Sequence, residues 1–158
     1  LKFVADMYGI DRRAREGHVA RFTELFGLAD YLDDLCEGYS HGMKQRVVLT
    51  AALMHDPKVL IVDEPMVGLD PRGTRLAKDL FRDHARRGGA VFLSTHSLSV
   101  AEEVADRVGI IHRGRLIALG TLDDLRRRCG GQGGLEDMFL RITEEEGPQA
   151  GGAPCPRG

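Results

Sequence analysis

No apolar run in this 158-residue sequence approaches the ~20 residues a helix needs to cross a bilayer. The opening Leu1-Lys2-Phe3-Val4-Ala5 also lacks the layout of a secretory signal. Any membrane role read from the sequence is therefore peripheral. Cysteine is scarce: Cys36, Cys129 and Cys155 form no CxxC and no Cys/His metal spacing, which excludes a disulfide scaffold and a zinc module and fits a reducing, cytosolic setting. An excess of one charge is missing as well. Lys plus Arg number 22 against 24 Asp plus Glu, a formal charge of -2, so no overall field attracts nucleic acid or anionic lipid. What the chain does contain is 42% hydrophobic and 29% charged residues with 6% aromatics. That is the composition of a globular chain, one domain or a piece of a larger one, long enough to bury a core. It starts at Leu1 in mid-pattern and not at an initiating Met, and is expected to be the back part of a longer protein.

Periodicity organises the chain. Val19, Phe22, Leu25 and Phe26 recur at helical spacing between Arg12 and Leu28, which predicts one amphipathic helix. A short helix is expected across Ala29 to Leu35. A break comes next at Glu37-Gly38-Tyr39-Ser40, with Ser40 typed to cap a helix from Gly42 to about Met54 that must stop before Asp56-Pro57. Val59-Leu60-Ile61-Val62 and Ala90-Val91-Phe92-Leu93 are apolar without alternation, so both are expected as parallel strands covered on both faces. Between them Pro71 opens a helix with Leu76, Leu80 and Phe81 on one stripe, ended by Arg86-Arg87-Gly88-Gly89. Together these make a βαβ unit.

Further on, a helix is expected over Ser97 to Asp106, and strands over Val108 to His112 and Leu116 to Leu119 turning at Arg113-Gly114. Thr121-Leu122-Asp123-Asp124 has capping-box form. Cys129 to Gly134 reads as a glycine-rich loop, Leu135 to Ile142 as a helix, and the Glu-, Gly- and Pro-rich tail as disordered.

Chemistry concentrates at the end of the first strand. Asp63 and Glu64 leave it together, at the carboxyl edge where open α/β sheets bind ligands. Adjacent strand residues face opposite ways, so the two acids imply two roles. One can hold a hard cation such as Mg²⁺, directly or through water, and the other can orient or deprotonate a water attacking a phosphoryl group. A pair of solvated acids at a strand end is the plain alternative. Ser40-His41-Gly42-Met43 opens a helix whose N–H groups and dipole favour an anion, although a serine in this place is more often an ordinary cap than a ligand contact. His96, after the second strand, falls on the same edge as the acids. It is either a satisfied polar residue or a participant.

These motifs, in this order, resemble the nucleotide-binding domain of an ATP-binding cassette (ABC) transporter. Tyr39 to Arg46 is similar to the family signature, Val59 to Glu64 to its Walker B strand, Gly68-Leu69-Asp70 to its D-loop and His96 to its switch histidine. The spelling around Tyr39 and the closing Leu135 to Leu140 are similar to cassettes serving ABC-2 type exporters. The resemblance covers about residues 1 to 143. It implies an α/β chain with a partial P-loop NTPase (ABC ATPase) fold: a helical subdomain with the signature over 1–56, then part of a RecA-like parallel sheet flanked by helices over 57–143, with 144–158 a disordered tail.

For the site, the resemblance implies magnesium bound through water by Asp63, attacking water polarised by Glu64, and γ-phosphate contacted by His96. Ser40 and Gly42, with His41 and Met43 in the same turn, would cap a nucleotide held mainly by an opposite cassette, and Asp70 would cross that interface. Asp70 also reads as a helix cap before Pro71. ATP and Mg²⁺ are the implied ligands. A second cassette and a transmembrane permease are the implied partners, at the cytoplasmic face of the membrane, with no nucleic acid expected. Two competing classes are an ABC-type ATPase acting on nucleic acid or the ribosome, and a non-catalytic regulatory partner.

Departures from the family pattern are specific. His41 stands for the first signature glycine and Met43 for the glutamine, and none of Lys2, Lys44, Lys58 and Lys78 belongs to a GxxxxGK[ST] phosphate loop. Truncation is the expected cause of that absence, and the 158 residues alone are expected to bind ATP poorly and hydrolyse little.

Overall fold

The computed structural model describes residues 1–130 and 133–145. The chain divides into two units, Leu1–His96 and a second that begins at Ser97.

The first unit starts with three helices: α1 (Lys2–Met7), α2 (Arg12–Phe26) and α3 (His41–Leu53). Nothing in the spacing of so short a segment announced α1. Helix α2 ends two residues before the pattern does, because Gly27 takes a left-handed φ of 61° and turns the chain. The short helix expected over Ala29 to Leu35 is reduced to a single 3-10 turn, Ala29–Tyr31, with another at Cys36–Gly38.

Strand β1 (Val59–Asp63), helix α4 (Pro71–Arg86) and strand β2 (Ala90–Ser94) form the βαβ unit. The strands pair in parallel from Val59 opposite Ala90 to Asp63 opposite Ser94. Asp70 caps α4 by accepting from the Gly73 N–H at 3.0 Å, with Pro71 in the first turn where its missing N–H costs nothing. One core joins these elements: Phe22 and Phe26 of α2 and Leu49 and Leu53 of α3 pack with Leu60 of β1 and Ala77, Leu80 and Phe81 of α4.

The two strands are not covered on both faces. Leu60 is buried, but its neighbour Ile61 is 74% exposed, and Phe92 on β2 is 65% exposed. The reason is geometric. Successive residues alternate sides, and α4, the crossover helix between the strands, covers one side.

In the second unit, α5 (Leu98–Val104) precedes an antiparallel hairpin of β3 (Val108–His112) and β4 (Arg115–Gly120). Its two-residue turn is Arg113 at φ 49° and Gly114 at φ 75°, the positive pair that matches strand twist. Helices α6 (Leu122–Arg128) and α7 (Leu135–Glu145) complete the unit. Val108, Ile110, Ala118, Leu125, Cys129, Leu135, Met138 and Ile142 form its core. Helix α7 runs through Glu144 and Glu145, where the sequence pattern predicts disorder; Glu is a good helix former and needs no packing to continue a turn. The rest of the expected tail, 146–158, and positions 131 and 132 of the expected glycine-rich loop lie outside the described residues.

Candidate active site at the carboxyl edge of the parallel strands

The parallel register sets Asp63 opposite Ser94, so the segments leaving β1 and β2 meet at one edge. Glu64 leaves β1 in a left-handed conformation, φ 44°, while its N–H still donates to the Ser94 carbonyl at 3.0 Å. That turn takes Glu64 out of the strand, so its direction is set by the turn and not by the alternation of β1. Asp63 Oδ1 accepts the Ser94 hydroxyl and the residue stays exposed to solvent. Glu64 is half-buried and held from three directions: its Oε1 accepts the His96 N–H at 2.8 Å and lies 2.7 Å from His96 Nδ1, and its Oε2 accepts the Thr95 hydroxyl at 3.2 Å.

Burial pushes the Glu64 carboxyl up, but the His96 side-chain and backbone hydrogen bonds, the attraction of His96 and the Thr95 hydroxyl outweigh it and leave the carboxyl below its ordinary value. Glu64 is ionised at neutral pH. A carboxylate only accepts, so His96 Nδ1 carries the hydrogen in this pair and Nε2 remains to meet a ligand.

The second group sits at the start of α3. Ser40 Oγ accepts the Met43 N–H at 3.2 Å, and no acidic residue occupies the first turn, which preserves the positive end of the helix for an anion. Gly42 is needed by packing: a Cβ there would lie 2.5 Å from the Gly68 carbonyl oxygen. The bulk of His41, where the family has glycine, is taken up within the chain. Its ring presses on Gly68, whose own Cβ would lie 2.1 Å from His41 Cδ2.

Asp70 accepts from Gly73 and, at 2.7 Å, from Arg46 of α3. The Gly73 N–H and the Arg46 guanidinium hold its carboxyl below the usual range. Its cap role is thus visible within the chain, while the interface role needs a second cassette. The structure therefore gathers Asp63, Glu64 and His96 at one edge and sets His41 and Gly42 against Gly68 of the 65–70 loop, while Ser40 and Met43 bond to each other at the start of α3. Sequence reasoning passed over Ser94 and Thr95. Their signal was available: hydroxyls at the end of β2 in a parallel pair stand across from acids at the end of β1.

Among the described residues no group of three or more His, Cys, Asp or Glu side chains is placed to hold a metal. The donor set at Asp63, one exposed carboxylate beside a serine hydroxyl, fits a hard cation whose other oxygen ligands are water and phosphate.

Comparison with known proteins identifies the family. The ABC transporter family model matches residues 3–67, from α1 through the loop after β1. The linearmycin resistance ATP-binding protein LnrL of Bacillus subtilis (strain 168) is 36% identical over 143 residues, which is 90% of this chain and 44% of that protein. The daunorubicin resistance ATP-binding protein DrrA3 of Streptomyces coeruleorubidus is 42% identical over 147 residues, 93% of this chain and 46% of that protein. A solved structure of the ATP binding subunit of an ABC transporter superposes with a TM-score of 0.86 at 34% identity, covering 90% of this chain and 60% of that one. The chain thus spans less than half the length of these two relatives, and its partial sheets are part of the P-loop NTPase fold. By sequence and by fold, the chain belongs to the ATP-binding family of ABC transporters.

Proposed function

We propose that the chain is the catalytic portion of an ATPase subunit that drives transport through a membrane-embedded permease, working from the cytoplasmic face of the membrane and paired with a second cassette. The observation that carries this reading is the Glu64 carboxylate, ionised and fixed by His96 and Thr95 at the carboxyl edge of β1.

In this reading Glu64 accepts a hydrogen bond from the water that attacks the γ-phosphate and fixes its line of approach. His96 holds Glu64 through Nδ1–H and the backbone N–H, and contacts the γ-phosphate through Nε2–H when the ring carries hydrogen on both nitrogens. Asp63 would hold Mg²⁺, which would supply neutralising charge to the phosphates. Ser40, His41, Gly42 and Met43 offer a helix start to the γ-phosphate of a nucleotide gripped by the opposite cassette. No helix among the described residues is long and apolar enough to cross a membrane, so this reading gives the crossing to the partner. The ABC-2-like spelling around Tyr39 supports export as the direction.

The test is ATP turnover by the full-length protein assembled with its partners. Glu64→Gln keeps the shape and a hydrogen-bonding oxygen but loses the charge, and is expected to lower kcat by about 10²- to 10⁴-fold. Turnover at the wild-type rate would remove Glu64 from the mechanism.

A further inference from the structure

The loop that carries Glu64 away from β1 is gripped by α3 at both of its ends. Gln45 Nε2 donates to the Pro65 carbonyl at 3.0 Å, one residue past Glu64. Arg46 Nη2 donates to Asp70 Oδ1 at 2.7 Å, where the loop becomes α4, and Arg46 Nη1 donates to the Phe26 carbonyl at the end of α2 at 3.1 Å. Between those grips Gly42 lies against the Gly68 carbonyl. The loop adds two internal bonds, Val67 N–H to the Glu64 carbonyl and Leu69 N–H to the Met66 carbonyl. It is a short, internally bonded strap held to one helix.

We propose that Arg46, aided by Gln45, is a positioning residue that makes the phosphate-facing start of α3 and the Glu64 carboxylate move as one body. The proposal rests on the hydrolytic reading of Glu64 and deepens it. An exposed ion pair contributes little to stability, and this one is partly exposed, at 26% for Arg46 and 49% for Asp70. Its use is geometric. The planar guanidinium places two N–H donors in fixed directions, one toward α2 and one toward the start of α4. A displacement of α3 on meeting phosphate is thereby passed to the loop and to Glu64, whose aim at water tolerates little error.

The experiment is a double-mutant cycle in the full-length assembled protein, reading kcat and KM for ATP. Arg46→Gln removes the charge and the fork. Asp70→Asn removes the charge while an Asn oxygen still caps Gly73. Each is expected to lower kcat about tenfold or more with KM for ATP changed by less than about twofold. The double variant is expected to fall no further than the lower single, and Arg46→Lys, which keeps the charge and loses the fork, to recover only part. Hydrogen exchange at the Val67 and Leu69 amides is expected to quicken in Arg46→Gln. If Arg46→Gln does not fold, Asp70→Asn carries the same readouts. Losses that multiply in the double variant, or full recovery by lysine, would overturn the clamp. Glu64→Gln is run alongside: if it is inactive while Arg46→Gln turns over normally, the clamp alone fails, whereas an active Glu64→Gln sinks the hydrolytic reading itself.

Discussion

Glu64 and His96 lie 32 positions apart in sequence and 2.7 Å apart in space, and the parallel register of β1 with β2 converts one separation into the other. Glycine plays the matching part on the α3 side, and two substitutions there separate two causes. Gly68→Ala meets a side chain, His41, in a backbone conformation with φ 81°, so it is expected to cost about 1–3 kcal/mol, part of which His41→Gly restores. Gly42→Ala meets the carbonyl of Gly68, which cannot swing aside. His41→Gly should leave its cost unchanged. Thermal or denaturant unfolding of the single and paired variants checks this, and equal rescue of both alanines would contradict the assignment. At this scale the meeting of Asp63, Glu64 and His96 at one edge was legible because a parallel βαβ unit brings the ends of both strands to the same side of the sheet. Arg46, Gln45, Ser94 and Thr95 were not, since their roles depend on which carbonyl or carboxylate lies opposite, and that is a property of packing.

Elements with local causes were the most readable. The α6 capping box is present as spelled: Thr121 Oγ1 accepts the Asp124 N–H at 3.1 Å and Asp124 Oδ2 accepts the Thr121 N–H at 3.0 Å. The Thr121 hydroxyl and backbone, then Arg127, hold the Asp124 carboxyl down to about 2 against an ordinary 3.8. A depressed carboxyl adds stability that is present above its ordinary value and is lost as pH falls through the folded one. The α6 cap should therefore weaken between about pH 4 and pH 2. Thr121→Ala is expected to cost about 1 kcal/mol and to move the Asp124 titration, followed by carboxyl NMR shifts, up toward 3.8. An unmoved midpoint would show that the box is not what depresses it. The hairpin turn at Arg113-Gly114 and the Asp70-Pro71 start of α4 were legible for the same local reason. The strands' burial was not: an apolar run of four says that both faces tolerate cover, and only the third dimension says that α4 supplies one.

At the scale of the whole molecule, all the candidate site residues fall within one of two units, Leu1–His96. There a single core runs from α1 through α4 and both parallel strands, so the signature-like helix and the carboxylate edge share one packed support. That common support is what makes a coupled site physically reasonable, because packed cores move as bodies and not as continuous gels. The sequence order of motifs disclosed the family. Their mutual bracing, through Gly42 on Gly68 and Arg46 on Asp70, came from the fold.

The central claim is that Glu64 directs water at a bound triphosphate. Its most direct measurement is the nucleotide content of the full-length assembled protein after incubation with ATP and magnesium. The account predicts that the Glu64→Gln form retains intact ATP while the wild type retains ADP. Equal ADP in both forms would contradict it.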